Sequence, residues 1–132
     1  MKKTLFKALT LVIAGEKPRW LKGLPKYDLM GGNTIINCLE TADDIVPIDV
    51  ETLCQYIGKQ DKNGADIFEG DNLKFVHKLG NRTVAEILTV YYDEGTAGYM
   101  LGKNGCGLPV AMFNVADSEI VGNENDIKIV NP

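Results

Sequence analysis

The sequence predicts a mainly β protein built from antiparallel sheets, with one or two short helical turns. Fourteen glycines and five prolines in 132 residues favour turn-rich β structure over a helical bundle. Apolar and polar residues alternate over short stretches such as 72–77, where Leu73 and Phe75 share one face. Turn, strand, turn and strand follow one another within residues 61–77, a spacing typical of a small, strongly bent β-barrel.

The first half of the chain contains four expected strands. Pro47 interrupts the last of them and predicts an edge position for it. A single helical turn should follow over 49–55, with Asp49 as its N-cap. A turn is expected at 30–33, and the strands at 4–13 (one long strand or two short ones), 19–24, 34–39 and 45–48.

The second half opens with Asp61-Lys62-Asn63-Gly64, where Asp61 can bond its own downstream backbone and Asn63-Gly64 tolerates positive φ. Glu69-Gly70-Asp71 forms another turn. We expect a glycine-rich hairpin loop at 102–109, and strands at 65–68, 72–77, 82–92, 98–101, 110–115, 119–121 and 127–130. The length fits one domain over 1–132, divided into an N-terminal β subregion (1–48) and a barrel-like core (51–132).

Two segments carry a family resemblance. The first runs from 51 to 75, and its matching residues are Thr52, Gln55, Tyr56, Gly58, Asp61 to Gly64, Ile67 and Glu69 to Asp71. The second is Ser-Glu-Ile-Val-Gly-Asn at 118–123, and a looser match comprises Phe6-Lys7-Ala8, Trp20 and Gly23. These patterns resemble the YopX-like proteins, which bacteriophages and prophages mostly encode. Cys54, Ile57 and Asn72 depart from the pattern without removing a turn residue.

The resemblance implies a mainly antiparallel β protein whose C-terminal half is similar to an SH3-like barrel. It carries over no biochemical activity. We therefore expect a non-enzymatic protein-interaction module, encoded by a phage or prophage, that forms homo-oligomers or contacts an unknown phage or host protein.

The formal net charge of −4 conceals an asymmetry, because residues 1–26 carry +6 and the remainder −10. A basic arm on an acidic body attracts polyanions, so the alternative function is a nucleic-acid-binding small β-barrel in which Trp20 stacks on bases. The residues of that interface would be Lys2, Lys3, Lys7, Lys17, Arg19, Trp20 and Lys22. A structural explanation competes with it, since lysines on an edge strand discourage aggregation.

No catalytic, cofactor or metal site is expected, and the protein is predicted not to be an enzyme. An EF-hand alignment starting at Asp61 places Ala65, Asp66 and Asn72 at three positions that need other residues. Glu69 and Asp71 could act as an acid–base pair with His77, but turn and capping roles explain the two acids better. A Cys3His zinc site would use every cysteine without a closely spaced pair, and the 102–107 loop lacks the spacing of a phosphate-binding loop.

Cysteine count and hydropathy favour a cytoplasmic location, and the family resemblance implies that this is the cytoplasm of a bacterial host cell. The three cysteines form no C-x-x-C pair, which is typical of reduced thiols. Lys2-Lys3 and the apolar run 8–14 imitate a short secretion signal, but Lys7 shortens that run and no cleavage pattern follows. No run approaches a membrane span, so no membrane partner is expected.

Overall fold

A computed structural model describes residues 5–12, 15–30, 34–103 and 106–130. These residues form a mainly β protein with antiparallel strand pairing, which confirms the predicted class. The strands are β1 (Phe6–Leu9), β2 (Trp20–Met30), β3 (Thr34–Glu40), β4 (Ile45–Pro47), β5 (Cys54–Gln60), β6 (Asp66–Phe68), β7 (Asp71–Leu79), β8 (Arg82–Asp93), β9 (Gly98–Lys103), β10 (Cys106–Pro109) and β11 (Glu119–Asn123). The turn predicted at 30–33 falls largely outside the described residues.

Helical structure is limited to short turns. Asp49 caps the 3-10 turn Val50–Thr52, its carboxylate accepting the N–H of Glu51, as the sequence predicts. The strand predicted at 110–115 is wrong: the 3-10 turns Val110–Met112 and Val115–Asp117 lie there and bury Val110 and Val115 in the core. The strand predicted at 127–130 is also wrong, because these residues form a short helix, α1 (Ile127–Val130). At 110–115, packing in the core overrides the β preference of the side chains.

The chain divides into two compact units. The first comprises Met1–Tyr56 with Asn125–Pro132, and the second comprises Ile57–Glu124. β5 belongs to the first unit as far as Tyr56 and to the second from Ile57. In the ranges listed above, no helix is long and apolar enough to cross a membrane.

The first unit contains a sheet with the strand order β4-β3-β2-β1-β5. Its core cluster comprises the buried Ala8, Leu39 and Ile48, with Phe6, Leu21 and Leu53 packed against them. Gly23 lies in β2 at a close approach to β3, where a Cβ atom would collide with the backbone carbonyl of Glu40. The backbone spacing of these strands therefore depends on that glycine.

The second unit contains a sheet with the order β10-β9-β8-β7-β11, and the remainder of β5 lies beside β6. Its core is a larger cluster of Ile67, Leu73, Phe75, Leu88, Val90, Leu101, Val110 and Val115. β10 and β11 are the edges of this sheet, which remains open within the described residues instead of closing into the SH3-like barrel implied by the resemblance. The loop predicted at 102–109 is instead largely strand, because Gly102 and Gly107 face each other and let β9 and β10 approach closely.

Candidate functional site

Asp61 fixes the first turn of the segment 51–75. Its Oδ1 accepts the backbone N–H groups of Asn63 at 2.9 Å and Ala65 at 3.0 Å, which is the Asx turn expected from the sequence. Its Oδ2 accepts the N–H of Ile120 in β11 at 3.1 Å. One carboxylate therefore both closes a turn and attaches it to a strand distant in sequence.

The next residue strengthens the same attachment. The backbone N–H of Lys62 donates to the carbonyl of Ser118 at 2.9 Å, and its ammonium lies 3.4 Å from the Glu119 carboxylate. That ion pair is about half exposed, so it adds little to stability compared with the buried bonds.

Asp71 holds the second turn. This fully buried carboxylate accepts the N–H of Phe68 at 2.8 Å and the side-chain amide of Asn123 at 2.9 Å. Gly70 between them has φ +85°, and its carbonyl accepts the N–H of Glu124 at 2.8 Å. The turn and capping role predicted for Asp71 is confirmed by these bonds.

The two sequence segments of the resemblance therefore meet. We call the turns 61–64 and 69–71, together with 118–123, the motif junction. Thr52 has a similar structural role in the first unit, where its buried hydroxyl accepts the N–H of Leu9 at 2.8 Å and donates to the carbonyl of Asp49 at 2.7 Å.

Backbone N–H donors at the motif junction favour the ionised form of Asp61. Burial disfavours the ionised Asp61, but the N–H groups of Ile120, Ala65 and Asn63, with the Lys62 ammonium, outweigh it and lower the pKa of Asp61 below its ordinary value. The carboxylate is therefore the favoured form, held by donors on both of its oxygens.

The geometry of the motif junction forms neither the calcium site nor the acid–base pair considered from the sequence. Both Asp61 oxygens face N–H groups, which is the opposite of the open oxygen cage that a calcium ion needs. Asp71 and His77 lie six residues apart on β7, about 20 Å at the usual strand rise, which is too far for proton transfer between them. No cluster of three or more His, Cys, Asp or Glu side chains that could hold a metal occurs within the described ranges.

The basic arm is divided between two locations. Lys7 on β1 is paired in register with Lys22 on β2, and the Lys7 ammonium lies 4.7 Å from the centre of the Trp20 ring. The Trp20 N–H donates to Asp126 at 2.8 Å. Trp20 is thus engaged on a face and at its polar edge, which weakens its candidacy as a base-stacking platform.

Lys17 and Arg19 lie in the segment before β2 and line a different feature. Both are exposed, and they border a cleft of about 330 Å³ in the first unit. Lys2 and Lys3 lie outside the described residues. The other five residues of the candidate nucleic-acid interface form these two separate groups.

A further feature, which the sequence interpretation missed, is the hairpin formed by β7 and β8. We call residues 76–87 the hairpin arm. β11 pairs with β7 only as far as Lys74, and β9 pairs with β8 only from Thr89, so the arm is a two-stranded ribbon. All twelve arm residues are exposed. The exposed fractions of its large apolar side chains are 55% for Val76, 66% for Leu79, 42% for Val84 and 47% for Ile87.

A cleft opens at the base of the hairpin arm. Its volume is about 470 Å³, and its lining includes Leu88, Leu101, Leu108 and Phe113, with Glu86 at the arm. Leu108 is half exposed. The second unit therefore presents both a projecting apolar arm and an apolar recess.

Comparison with known protein families identifies the family of this chain and the features that lie inside the matched region. The family model described as YopX protein matches residues 27–126. The chain belongs to the YopX family. The match includes the whole motif junction and the whole hairpin arm, but none of the seven residues of the candidate nucleic-acid interface.

No curated protein and no solved structure matches the chain significantly. Membership of the YopX family specifies no ligand and no reaction for this chain.

Proposed function

We propose that this YopX protein is a non-enzymatic interaction module that associates with further copies of itself through the hairpin arm. The observation that supports it is the exposure of four large apolar side chains on a two-stranded ribbon beyond the sheet. The strand register places Leu79 and Val84 on one face of the ribbon and Val76 and Ile87 on the other. An isolated hairpin is marginally stable in water, and a partner that covers one face would bury its exposed apolar side chains.

Charge supports a second copy as the occupant of this surface. The arm carries Lys78 and Arg82 against Glu86, whereas the rest of the second unit has four basic and nine acidic side chains, a net charge of −5. The positively charged hairpin arm is attracted to the acidic surface of an identical unit and repelled by another hairpin arm. The recess lined by Leu108 and Phe113 offers apolar side chains such as Leu79 a place to pack.

The YopX-like resemblance supports a proposed cellular location and a second type of partner. Because YopX-like proteins are mostly encoded by phages and prophages, we place the protein in the cytoplasm of a bacterial host. An unknown phage or host protein is the other partner that the arm would suit. The separation of Asp71 from His77 supports a role without catalysis.

Nucleic-acid binding through the basic arm is the alternative. The pairing of Lys7 with Lys22 beside Trp20 favours it, since cations next to an aromatic ring suit single-stranded nucleic acid. The bond from Trp20 to Asp126 opposes it, because this carboxylate places a negative charge beside the ring, and that charge repels a phosphate.

The test is light scattering after size exclusion, at low and high salt, with and without mixed-sequence DNA. We expect an oligomer that persists at high salt because apolar contacts dominate, and that does not change with DNA. The variant Leu79→Ser with Val84→Ser should be a folded monomer. Val121→Ser, at an equally exposed valine of β11, is the matched control and should behave like the unaltered protein.

Two results would overturn the proposal: an oligomer that the double variant leaves intact, or a monomer at all concentrations. A monomer that shifts on DNA only at low salt would establish the nucleic-acid alternative, because phosphate binding weakens steeply as salt rises.

A further inference from the structure

A cleft in the first unit combines an apolar lining with basic residues at its edge. The segment 10–12 lies along β4 there, held by the bond from the Leu11 N–H to the carbonyl of Pro47 at 3.2 Å. The apolar side chains of the cleft are those of Leu11, Val12, Ile36, Val46 and Pro47. Its volume of about 330 Å³ equals that of roughly ten water molecules and lies at the lower end of the range for small-molecule sites.

The charged side chains at this cleft are Lys17, Arg19 and Glu16. Neither the Lys17 ammonium nor the Arg19 guanidinium has an ion-pair partner among the described residues. The backbone of Arg19 is fixed, since its N–H donates to the Thr10 hydroxyl and its carbonyl accepts the Thr10 N–H, each at 3.1 Å. A cation on an anchored backbone beside an apolar recess is suited to an anion that carries an apolar chain.

We propose that this cleft binds an aliphatic carboxylate. The chain would occupy the recess between Leu11, Ile36 and Val46, and the carboxylate would pair with Arg19, whose planar guanidinium matches a carboxylate with two parallel hydrogen bonds. Lys17 adds a second positive charge, and Glu16 disfavours ligands of high negative charge.

This assignment explains Lys17 and Arg19 better than nucleic-acid binding does. A polynucleotide needs a row of cations along its backbone, whereas these two side chains flank a recess lined by apolar groups. Two sources share the required chemistry: a free fatty acid, or the C-terminal carboxylate of a peptide that ends in aliphatic residues.

Isothermal titration calorimetry with octanoate tests the proposal. Octanoate should bind, hexanoate should bind about fifteen-fold more weakly because each buried methylene contributes about fourfold, and octanol and octylammonium should bind at least tenfold more weakly. Arg19→Gln should weaken octanoate binding about tenfold, while Lys59→Gln, an exposed lysine of the second unit, should have no effect. Unchanged Trp20 fluorescence verifies that the Arg19→Gln variant is folded.

A peptide ending in Leu-Leu-Val identifies the source when it is compared with its C-terminally amidated form. Preference for the free-acid peptide over octanoate indicates a peptide end, and the reverse indicates a fatty acid. Equal affinity for octanoate and octylammonium would overturn the proposal, as would octanoate binding that is unaffected by Arg19→Gln, or an absence of octanoate binding.

Discussion

Removing the Asp61 carboxylate is the sharpest perturbation of the motif junction. Asp61→Ala deletes the acceptor of three backbone N–H groups. Asn63 and Ala65 are exposed residues whose N–H groups can turn to water, so the loss there should be about 0.5–1 kcal/mol each. The N–H of Ile120 is half-buried and bonded to a charge, so its loss should cost about 2 kcal/mol. The free energy of unfolding should fall by about 3–4 kcal/mol.

Asp61→Asn distinguishes the contributions of the two carboxylate oxygens to stability. The amide retains an oxygen for the turn but places an N–H donor against the Ile120 N–H, so about 2 kcal/mol should be lost. Glu119→Gln is the matched control, because it breaks the exposed ion pair between the same two segments and should cost at most about 0.5 kcal/mol.

Urea unfolding measures these changes. Far-ultraviolet circular dichroism reports strand loss in both units, and Trp20 fluorescence reports the first unit only. The effect should also depend on pH in a defined direction. The pKa of Asp61 is lowered in the folded protein, so its stabilisation is present above the unfolded value of about 3.8 and disappears as pH falls through the folded value.

The difference between the unaltered protein and Asp61→Asn should therefore shrink as pH falls below 3.8. If Asp61→Ala costs no more than Glu119→Gln, or if the difference grows under acidic conditions, the Asp61 carboxylate does not stabilise the motif junction.

Two further predictions concern other parts of the fold. Gly23→Ala should destabilise the first unit by about 3 kcal/mol in urea unfolding followed by Trp20 fluorescence, because its Cβ would meet a backbone carbonyl. Gly98→Ala in the second unit, where no atom lies nearer than 3.9 Å to the added Cβ, should change little in urea unfolding followed by far-ultraviolet circular dichroism, and equal losses of stability would contradict the steric cause. Burial, with the charges of Glu69 and Tyr92, raises the pKa of Tyr99 above 10.0. An absorbance titration should therefore show one phenol that ionises at higher pH than the others, and Tyr99→Phe should remove that ionisation step. Stability from Tyr99 is present below pH 10.0 and is lost as pH rises through the folded value, which alkaline unfolding measures.

Much of the fold was predictable where the backbone itself signals its conformation. Asp61 and Gly64 specify a turn whatever surrounds them, and the long β-favoured run predicted at 82–92 appears as β8. The strand predicted at 110–115 was wrong because the β preference of Val110 and Val115 is a local signal. Their place in the core depends on strands far away in sequence.

The candidate site was less predictable. The composition of residues 1–26 indicates a basic arm, but only strand pairing reveals that Lys7 and Lys22 are neighbours while Lys17 and Arg19 border a cleft. The hairpin arm could not be recognised, since Leu79 and Val84 look like ordinary strand residues. Their exposure follows from where β11 and β9 stop pairing, which no local pattern encodes.

Hydrogen–deuterium exchange at increasing protein concentration tests the central proposal most directly. If copies associate through the hairpin arm, amides in 76–87 should exchange more slowly as concentration rises, while those of β4, an edge strand of the other unit, should not change. Slower exchange in β4 with an unaffected arm, in a protein that does oligomerise, would contradict the account.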